Sequence, residues 1–558
     1  MAKPFSFFFE ANSKKKKKNV MKILLVLIVR ISVILWWSDG YIHPDEFFQS
    51  GQELWYGKRL PSWEFQSPHY LRSIVPPTIM TYLPLTLFSS KNVYLVPRLF
   101  MGLVSFILLD VPLLMVETSV DGMSSSSSSS IWYTMWTTWT LFHRPFTNVM
   151  ESWYVAMTLH LLSSSNQPPF LYYIGLGILS SFGMNCRFTF GLFVGPAILY
   201  HFIRLVHQNH HPYYSTTSII GTRIFGTIIG FVGTSILWIY MDTNYYDTAS
   251  IQITPWNAFQ YNRQVSNLQH HGIHPHYLHI LVNMPLLYGP LAIYFYYTEL
   301  FPHKQTKPME NNNNNSVGNG NSKIYCRIIL WSGLFGLSIA PHQEPRFLLP
   351  LAYPLVQLYK KDDCFLFQRK SIKILWWIWT IGVGCWFSLL HQSAVIPSLH
   401  YISQQQQQHV TIPKAILYYH TYMPPTFVLS SSMMINKLVV GDPPISSAVC
   451  PLSQQVLSKE KNTTYFYDLT SNDASLETLE HTMDRHLDSS LESFVYVVAP
   501  KASIPNHTLI KKKYQWTPLW SQFQISMEEL PSTPIFHTLL TNPSSFHLVI
   551  WQVKSVLN

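Results

Sequence analysis

The first long apolar run of the chain, from about Val20 to Trp37, leads almost at once into His43-Pro44-Asp45-Glu46. About 20 apolar residues are what a helix needs to cross the hydrocarbon core of a bilayer. Runs of this kind recur along the sequence, and the recurrence limits the possible folds more than any single motif does. Backbone polar groups inside lipid must be satisfied within their own segment, so the runs are expected to be helices. Of the 558 residues, 47% are hydrophobic, 15% aromatic and 12% charged. Ordinary soluble domains carry about 25% charged residues, so the composition describes a polytopic α-helical membrane protein. The net charge is +10, but much of the excess lies in short clusters beside apolar runs. That placement fits cytosolic retention of Lys and Arg rather than a nucleic-acid-binding face.

Eleven apolar segments can be drawn, near residues 20–37, 74–90, 97–116, 131–142, 149–163, 170–203, 219–240, 277–300, 327–340, 347–359 and 374–390. Several are short for a full crossing, and 170–203 is long enough to be two pieces. Lys14–Lys18 form a basic run ahead of the first segment, and no small-residue cleavage site follows it. Residues 1–19 are therefore expected to be a cytosolic basic N-terminus, and the first segment an uncleaved anchor. Placing Lys91, Arg98, Arg204, Arg223, the cations around the Asn-rich loop and those at 360–373 in the cytosol is consistent with eleven crossings. The acidic motif, residues 242–276 and the turn His342–Arg346 then share the opposite side. A multispanning region over 20–390 is expected to give way to a soluble lumenal domain over 391–558. There, β-rich stretches such as Phe494–Val498 and Phe546–Val553 alternate with polar loops, which suggests mixed α and β structure. The sequons at Asn462 and Asn506 fit a lumenal placement. Ser124–Ser130, Asn311–Asn315 and Gln404–Gln408 read as loop insertions. The five cysteines include no C-x-x-C pair and indicate neither a zinc site nor a disulfide framework.

Carboxylates just beyond a membrane exit are costly to keep near lipid, so Asp45 and Glu46 are functional candidates by default. Either can serve as a general base within hydrogen-bond reach of a hydroxyl. Beside them lie Gln49, Glu53, Trp55, Trp63, Glu64 and Phe65. This mixture of rings and acids suits sugar recognition or, for any one tryptophan alone, an interfacial belt. A tight turn, Pro341-His342-Gln343-Glu344-Pro345-Arg346-Phe347, carries a cationic pair suited to a phosphate, or else a snorkelling Arg. Arg144, Asn148 and Glu151 lie in otherwise apolar sequence, where an internal Arg144–Glu151 pair is as good an account as a substrate role. Histidines crowd the stretch His270–His276, but no carboxylate or cysteine completes a ligand set at ordinary spacing, so no metal is expected.

Together these motifs resemble the dolichyl-phosphate-mannose-dependent mannosyltransferases of glycosyltransferase family 22, which have the multispanning GT-C fold. The resemblance rests on Gly40–Ser50, Trp63-Glu64-Phe65, Arg72–Pro76, Arg187–Phe190, His271-Gly272-Ile273-His274-Pro275 and His342–Phe347. It extends over residues 20 to about 390. The last two motifs favour the branch that adds the fourth mannose of the glycosylphosphatidylinositol (GPI) precursor. The resemblance implies an inverting α-1,2-mannosyltransferase of the endoplasmic reticulum membrane with its active site on the lumenal side. Its substrates would be dolichyl-phosphate mannose and the GPI precursor glycolipid, with no cofactor. The expected site comprises Asp45 or Glu46 as base and His342 and Arg346 at the donor phosphate. Substrate contacts are expected from His43, Gln49, Trp63, Glu64, Arg144, Asn148, His271 and His274. The alternatives are another family 22 enzyme acting on the third GPI mannose or an N-glycan precursor, and a polytopic transporter. A transporter should show repeated halves, and no internal repeat is visible.

Overall fold

A computed structural model of the chain describes residues 4–36, 40–51, 62–89, 92–118, 128–163, 170–208, 216–269, 272–301, 316–359, 369–408, 413–425, 428–429, 435–439, 464–469, 475–487, 493–504, 513–525, 538 and 541–556. The chain forms two compact units. The first comprises Met1–Trp36, Gln49–Gly51 and Pro61–Gly384; the second comprises Trp37–Phe48, Gln52–Leu60 and Cys385–Asn558. The acidic motif thus belongs to the same unit as the C-terminal region.

The first unit is helical. Among the described residues, four helices are long and apolar enough to cross a membrane: Leu95–Leu114, Phe190–His207, Ile220–Tyr246 and Lys370–Leu390. The last two bury little of their surface within the protein. Leu237, Ile378 and Ile381 stand exposed on them, as expected of side chains that face lipid. Other apolar segments are shorter or broken. Segment 170–203 is two helices, Phe170–Cys186 and Phe190–Gln208. Segment 277–300 breaks at Gly289, whose φ of 51° precedes Pro290 at the start of the next helix. Helix Thr147–Ser163 is buried on nearly every face, as befits a helix at the centre of a bundle. Helix Phe170–Cys186 lies so close to Thr216–Tyr246 that a Cβ on Gly177 would stand 2.0 Å from the carbonyl oxygen of Thr227. Small residues permit this approach where van der Waals packing drives helix association in lipid.

Two buried charges tie the beginning of the chain to the bundle. Arg30 donates through Nε and Nη2 to the two carboxylate oxygens of Asp110, at 2.6 and 2.9 Å. Its Nη1 reaches the carbonyl of Thr138 at 3.1 Å, and the Trp132 indole donates to the same carboxylate. The forked geometry is the strong form of this pair.

The second unit contains a six-stranded sheet. Its strands are β1 (Ala415–Tyr419), β2 (Ile435–Val439), β3 (Thr464–Leu469), β4 (Val495–Pro500), β5 (Tyr514–Phe523) and β6 (His547–Ser555), in the order β2-β3-β1-β4-β6-β5. The first four in that order run parallel, while β6 and β5 are antiparallel additions. Strands β1 and β4 are buried along their whole length, as parallel strands covered on both faces must be. Helix Leu476–Asp484 connects β3 to β4 and packs Leu479 and Met483 into the sheet's core. Ser475 caps it by accepting the Thr478 N–H. The glutamines 404–408, expected in a loop, instead end the helix Val395–Gln408. Glutamine is a good helix former, and a helix already anchored by buried Val395, Leu399 and Ile402 propagates into it. Both sequons and the Asn-rich tract lie outside the described residues.

Candidate active site

In the second unit, Asp45 and Glu46 open the short helix Asp45–Phe48. His43 sets the turn: its carbonyl accepts the Glu46 N–H at 3.1 Å, and its Nδ1 accepts the Asp45 N–H at 3.1 Å. That second bond requires a lone pair on Nδ1. The two acids differ in access, because Asp45 keeps 18% of its side chain exposed while Glu46 is fully buried. Tyr41 lies beneath them, buried, with its ring 5.2 Å from that of Phe47. Burial first, then the charges of Glu46, Asp468 and Asp45, push the Tyr41 hydroxyl well above its ordinary pKa. It remains a hydrogen-bond donor.

The first unit holds the remaining candidates. Gln49 and Glu64 come together: Gln49 Nε2 donates to Glu64 Oε1 at 3.4 Å, and Arg72 pairs with the same oxygen at 2.8–2.9 Å. Arg72 is therefore more than an anchor for the span after it. Trp63 packs on Tyr261, with centroids 5.2 Å apart, and edgewise on His69. Asp242 accepts from Ser73 Oγ, the Ile74 N–H and Thr254 Oγ1. It thereby fixes the start of the helical segment from Val75 and that of the helix Thr254–Arg263.

The stretch ending at His276 and the turn His342–Arg346 interlock. Gln343 is the bolt: its Nε2 donates to the carbonyls of Ser338, Ala340 and His276, and its Oε1 accepts the His279 N–H. His274 Nδ1 accepts the Gln343 N–H, and the His274 N–H donates to the Pro341 carbonyl. His271 lies outside the described residues, while Asn262 and Asn267 make only local bonds among those described. Glu344 holds both cations of the turn, His342 through Nε2 at 2.8 Å and Arg346 through Nε. Burial pulls the His342 imidazolium down, but the Glu344 hydrogen bond and charge, with the Gly272 carbonyl, outweigh it and raise the pKa above 6.5.

Arg144 and Asn148 are fully buried. Arg144 Nε donates to the Thr140 carbonyl, whereas neither polar atom of the Asn148 amide has a hydrogen-bond partner among the described residues. An unmet buried amide costs about 1–3 kcal/mol per group, which marks Asn148 as a contact waiting for a partner. The Arg144–Glu151 pair does not form. Glu151 instead meets Arg187 at 3.2 Å and accepts from Thr189 at 2.6 Å, because the helix break at 187–189 brings an arginine to it. Sequence reasoning missed Arg187 as a site residue. Its guanidinium and that of Arg346 each lie 5.4 Å from the ring of Phe347. The available signal was its place in a polar interruption of a long apolar run.

A helical membrane body and a C-terminal sheet domain are the architecture of the GT-C membrane enzymes. ArnT from Cupriavidus metallidurans bound to undecaprenyl phosphate has the same fold, with a TM-score of 0.50 at 10% identity over 95% of this chain and 97% of that one. Residues 21–429 match the Alg9-like mannosyltransferase family, and the chain belongs to it. It is a mannosyltransferase. It is similar to GPI mannosyltransferase 4 of Candida albicans, 29% identical over 73% of this chain and 80% of that one. The enzymes of the same name from Schizosaccharomyces pombe and Saccharomyces cerevisiae are 29% and 28% identical, over 70% and 74% of this chain and 71% and 78% of theirs.

The His342–Glu344 pair generates a pH dependence with a definite sign. A folded pKa above the unfolded value stabilises the fold fully below about pH 6.5, and that stability is lost as pH rises through the folded pKa. Thermal unfolding of the detergent-solubilised protein from pH 5.5 to 9 should show this decline in the wild type, and His342→Gln should remove it. Equal pH dependence in both proteins would exclude the pair as its source.

Proposed function

We propose that the protein transfers mannose from dolichyl-phosphate mannose to the third mannose of the GPI precursor. The reaction forms an α-1,2 bond at the lumenal face of the endoplasmic reticulum membrane. The observation that carries this reading is the acidic turn His43–Glu46, which holds one accessible carboxylate and one buried one, in a chain whose relatives are named for the fourth GPI mannose. Asp45 takes the proton of the acceptor hydroxyl, and the oxygen attacks C1 of the β-linked mannose. The C1–O bond to phosphate breaks with inversion, and the electron pair leaves with dolichyl phosphate. Asp45 suits this role because it is the accessible acid, and the bond from its own N–H to His43 fixes its backbone. A phosphate leaving group needs little protonation, so the remaining task is to neutralise it.

His342 and Arg346 do that, with Glu344 occupying their donors until the phosphate arrives. The exchange swaps one anion for another and leaves no cation bare. Arg187, whose guanidinium lies 5.4 Å from the same Phe347 ring as that of Arg346, adds to the positive field. Asn148 supplies an amide for a sugar hydroxyl, and Trp63 with Tyr261 offers ring surface to a sugar face. His43, Gln49, Glu64, Arg144, His271 and His274 support these contacts. The chemistry requires no metal and no cofactor.

Depleting the protein from its own cells should cause a three-mannose GPI precursor to accumulate, with N-glycan precursors of normal mannose count. Glycolipids labelled with radioactive mannose would report it. A two-mannose precursor would reassign the acceptor to the third-mannose step, and a truncated N-glycan precursor would remove the protein from GPI synthesis.

Asp45→Asn should lower transfer by at least about 100-fold, the lower range for loss of a general base, while the protein still accumulates in the membrane. Turnover close to wild type would pass the role to Glu46.

Arg346→Lys keeps the charge and loses the planar fork. In microsomal assays the KM for donor should rise several-fold more than that for acceptor, and an unchanged donor KM would reduce the turn to a structural element.

A further inference from the structure

The acidic turn is built against residues of the C-terminal part of the chain, within the second unit. The Gly40 N–H donates to the Ser388 carbonyl at 2.6 Å, and the Tyr41 N–H to the His391 carbonyl at 2.9 Å. A Cβ on Gly40 would stand 2.1 Å from the carbonyl oxygen of Phe387, so the approach is as close as backbone allows. The Tyr41 hydroxyl donates to the Met423 carbonyl at 2.7 Å.

Met423 and Tyr422 lie just beyond the carboxyl end of the parallel strand β1. Strands of open α/β sheets bring ligands to that end. The chain leaves β1 through His420, which has a φ of 53° and donates its N–H to Leu469 at the end of β3. A non-glycine residue held in this sparsely populated region signals a backbone fixed by its surroundings. Tyr422 follows two residues later.

The Tyr422 ring meets three others. Its centroid is 5.3 Å from His391 and 5.7 Å from Tyr41, both edge-on, and 6.1 Å from His43. Its hydroxyl lies 3.3 Å from His391 Nε2. Tyr41 and His43 lie four and two residues before Asp45, and His43 holds the Asp45 N–H. Tyr422 therefore packs against His43, which holds the Asp45 backbone N–H, and against Tyr41 in the same turn.

We propose that Tyr422 is a positioning residue for the acidic turn, acting on Asp45 through His43 and Tyr41, so that the C-terminal domain takes part in catalysis. The proposal rests on the reading of Asp45 as the base. It predicts a change in rate rather than in binding. A base displaced by a fraction of an ångström takes up the acceptor's hydroxyl proton poorly, while the donor's own contacts are untouched.

The test uses the full-length chain in microsomal membranes, with variants compared at equal membrane abundance and rates measured against donor and acceptor concentration. Tyr422→Ala should lower kcat about 10- to 100-fold, the scale of a small misplacement of a reacting group, with the donor KM unchanged. Tyr422→Phe keeps the ring and should recover most of that loss. If Tyr422→Ala fails to accumulate, Tyr422→Leu carries the same comparison, because it fills space without an aromatic edge. A kcat close to wild type in the alanine or leucine variant overturns the proposal, as does a loss that phenylalanine leaves unrepaired. If Asp45→Asn turns over normally while Tyr422→Ala is slow, the assignment of the base has failed and the bracing of the turn stands. A wild-type chain that mannosylates a different acceptor overturns only the acceptor assignment, and the same ratios are then read on that acceptor.

Discussion

A charge inside an apolar helical body is costly unless a counter-charge and hydrogen bonds meet it. Arg30 and Asp110, on helices far apart in sequence, meet in a forked, buried pair that also binds the Thr138 carbonyl and the Trp132 indole. Losing either partner would strand the other, at about 3–5 kcal/mol. That penalty makes the pair a constraint on register, since the helix Pro4–Trp36 can pack only where its Arg30 reaches the aspartate. Glu151 and Arg187 impose the same condition nearer the site. The central helix carries the acid, and the break between Phe170–Cys186 and Phe190–Gln208 carries the base. A continuous helix there would hold its arginine within the apolar span; the break frees residues 187–189 to close over Glu151.

The turn His342–Arg346 depends on a neutral residue. Gln343 spends its amide on three carbonyls and one N–H, so the flanking His342 and Arg346 are held by a side chain with no part in their charge balance. Glu344 supplies that balance from within the turn. Rigidity and electrostatics thus come from different residues, and the proposed exchange of Glu344 for a phosphate would leave the bonds of Gln343 in place. Asn148 presents the contrasting case of a buried amide with nothing to bond among the described residues. One amide supports the structure, and the other is buried without a partner among the described residues.

Fold and family carry different weight here. A likeness at 10% identity to ArnT establishes architecture, and a shared architecture hosts many chemistries. The match over residues 21–429 establishes the mannosyl transfer.

Much of this protein was legible in its sequence, for a physical reason. Lipid favours helix for a spanning backbone, so apolar runs translate into helices, although 170–203 and 277–300 each divide into two. Paired acids or a cationic turn at the end of such a run stand out because they are costly there. The β-rich stretches after residue 391 likewise announced a different kind of core. What the sequence could not supply were pairings across distance. Glu151 could have closed on Arg144, seven positions earlier, but met Arg187; the acids at 45 and 46 grouped with strands nearly four hundred residues later. Apolar periodicity says which residues are buried, not which of several buried charges will meet. Only tertiary packing decides that, because each pairing depends on where separate helices cross and where each one breaks.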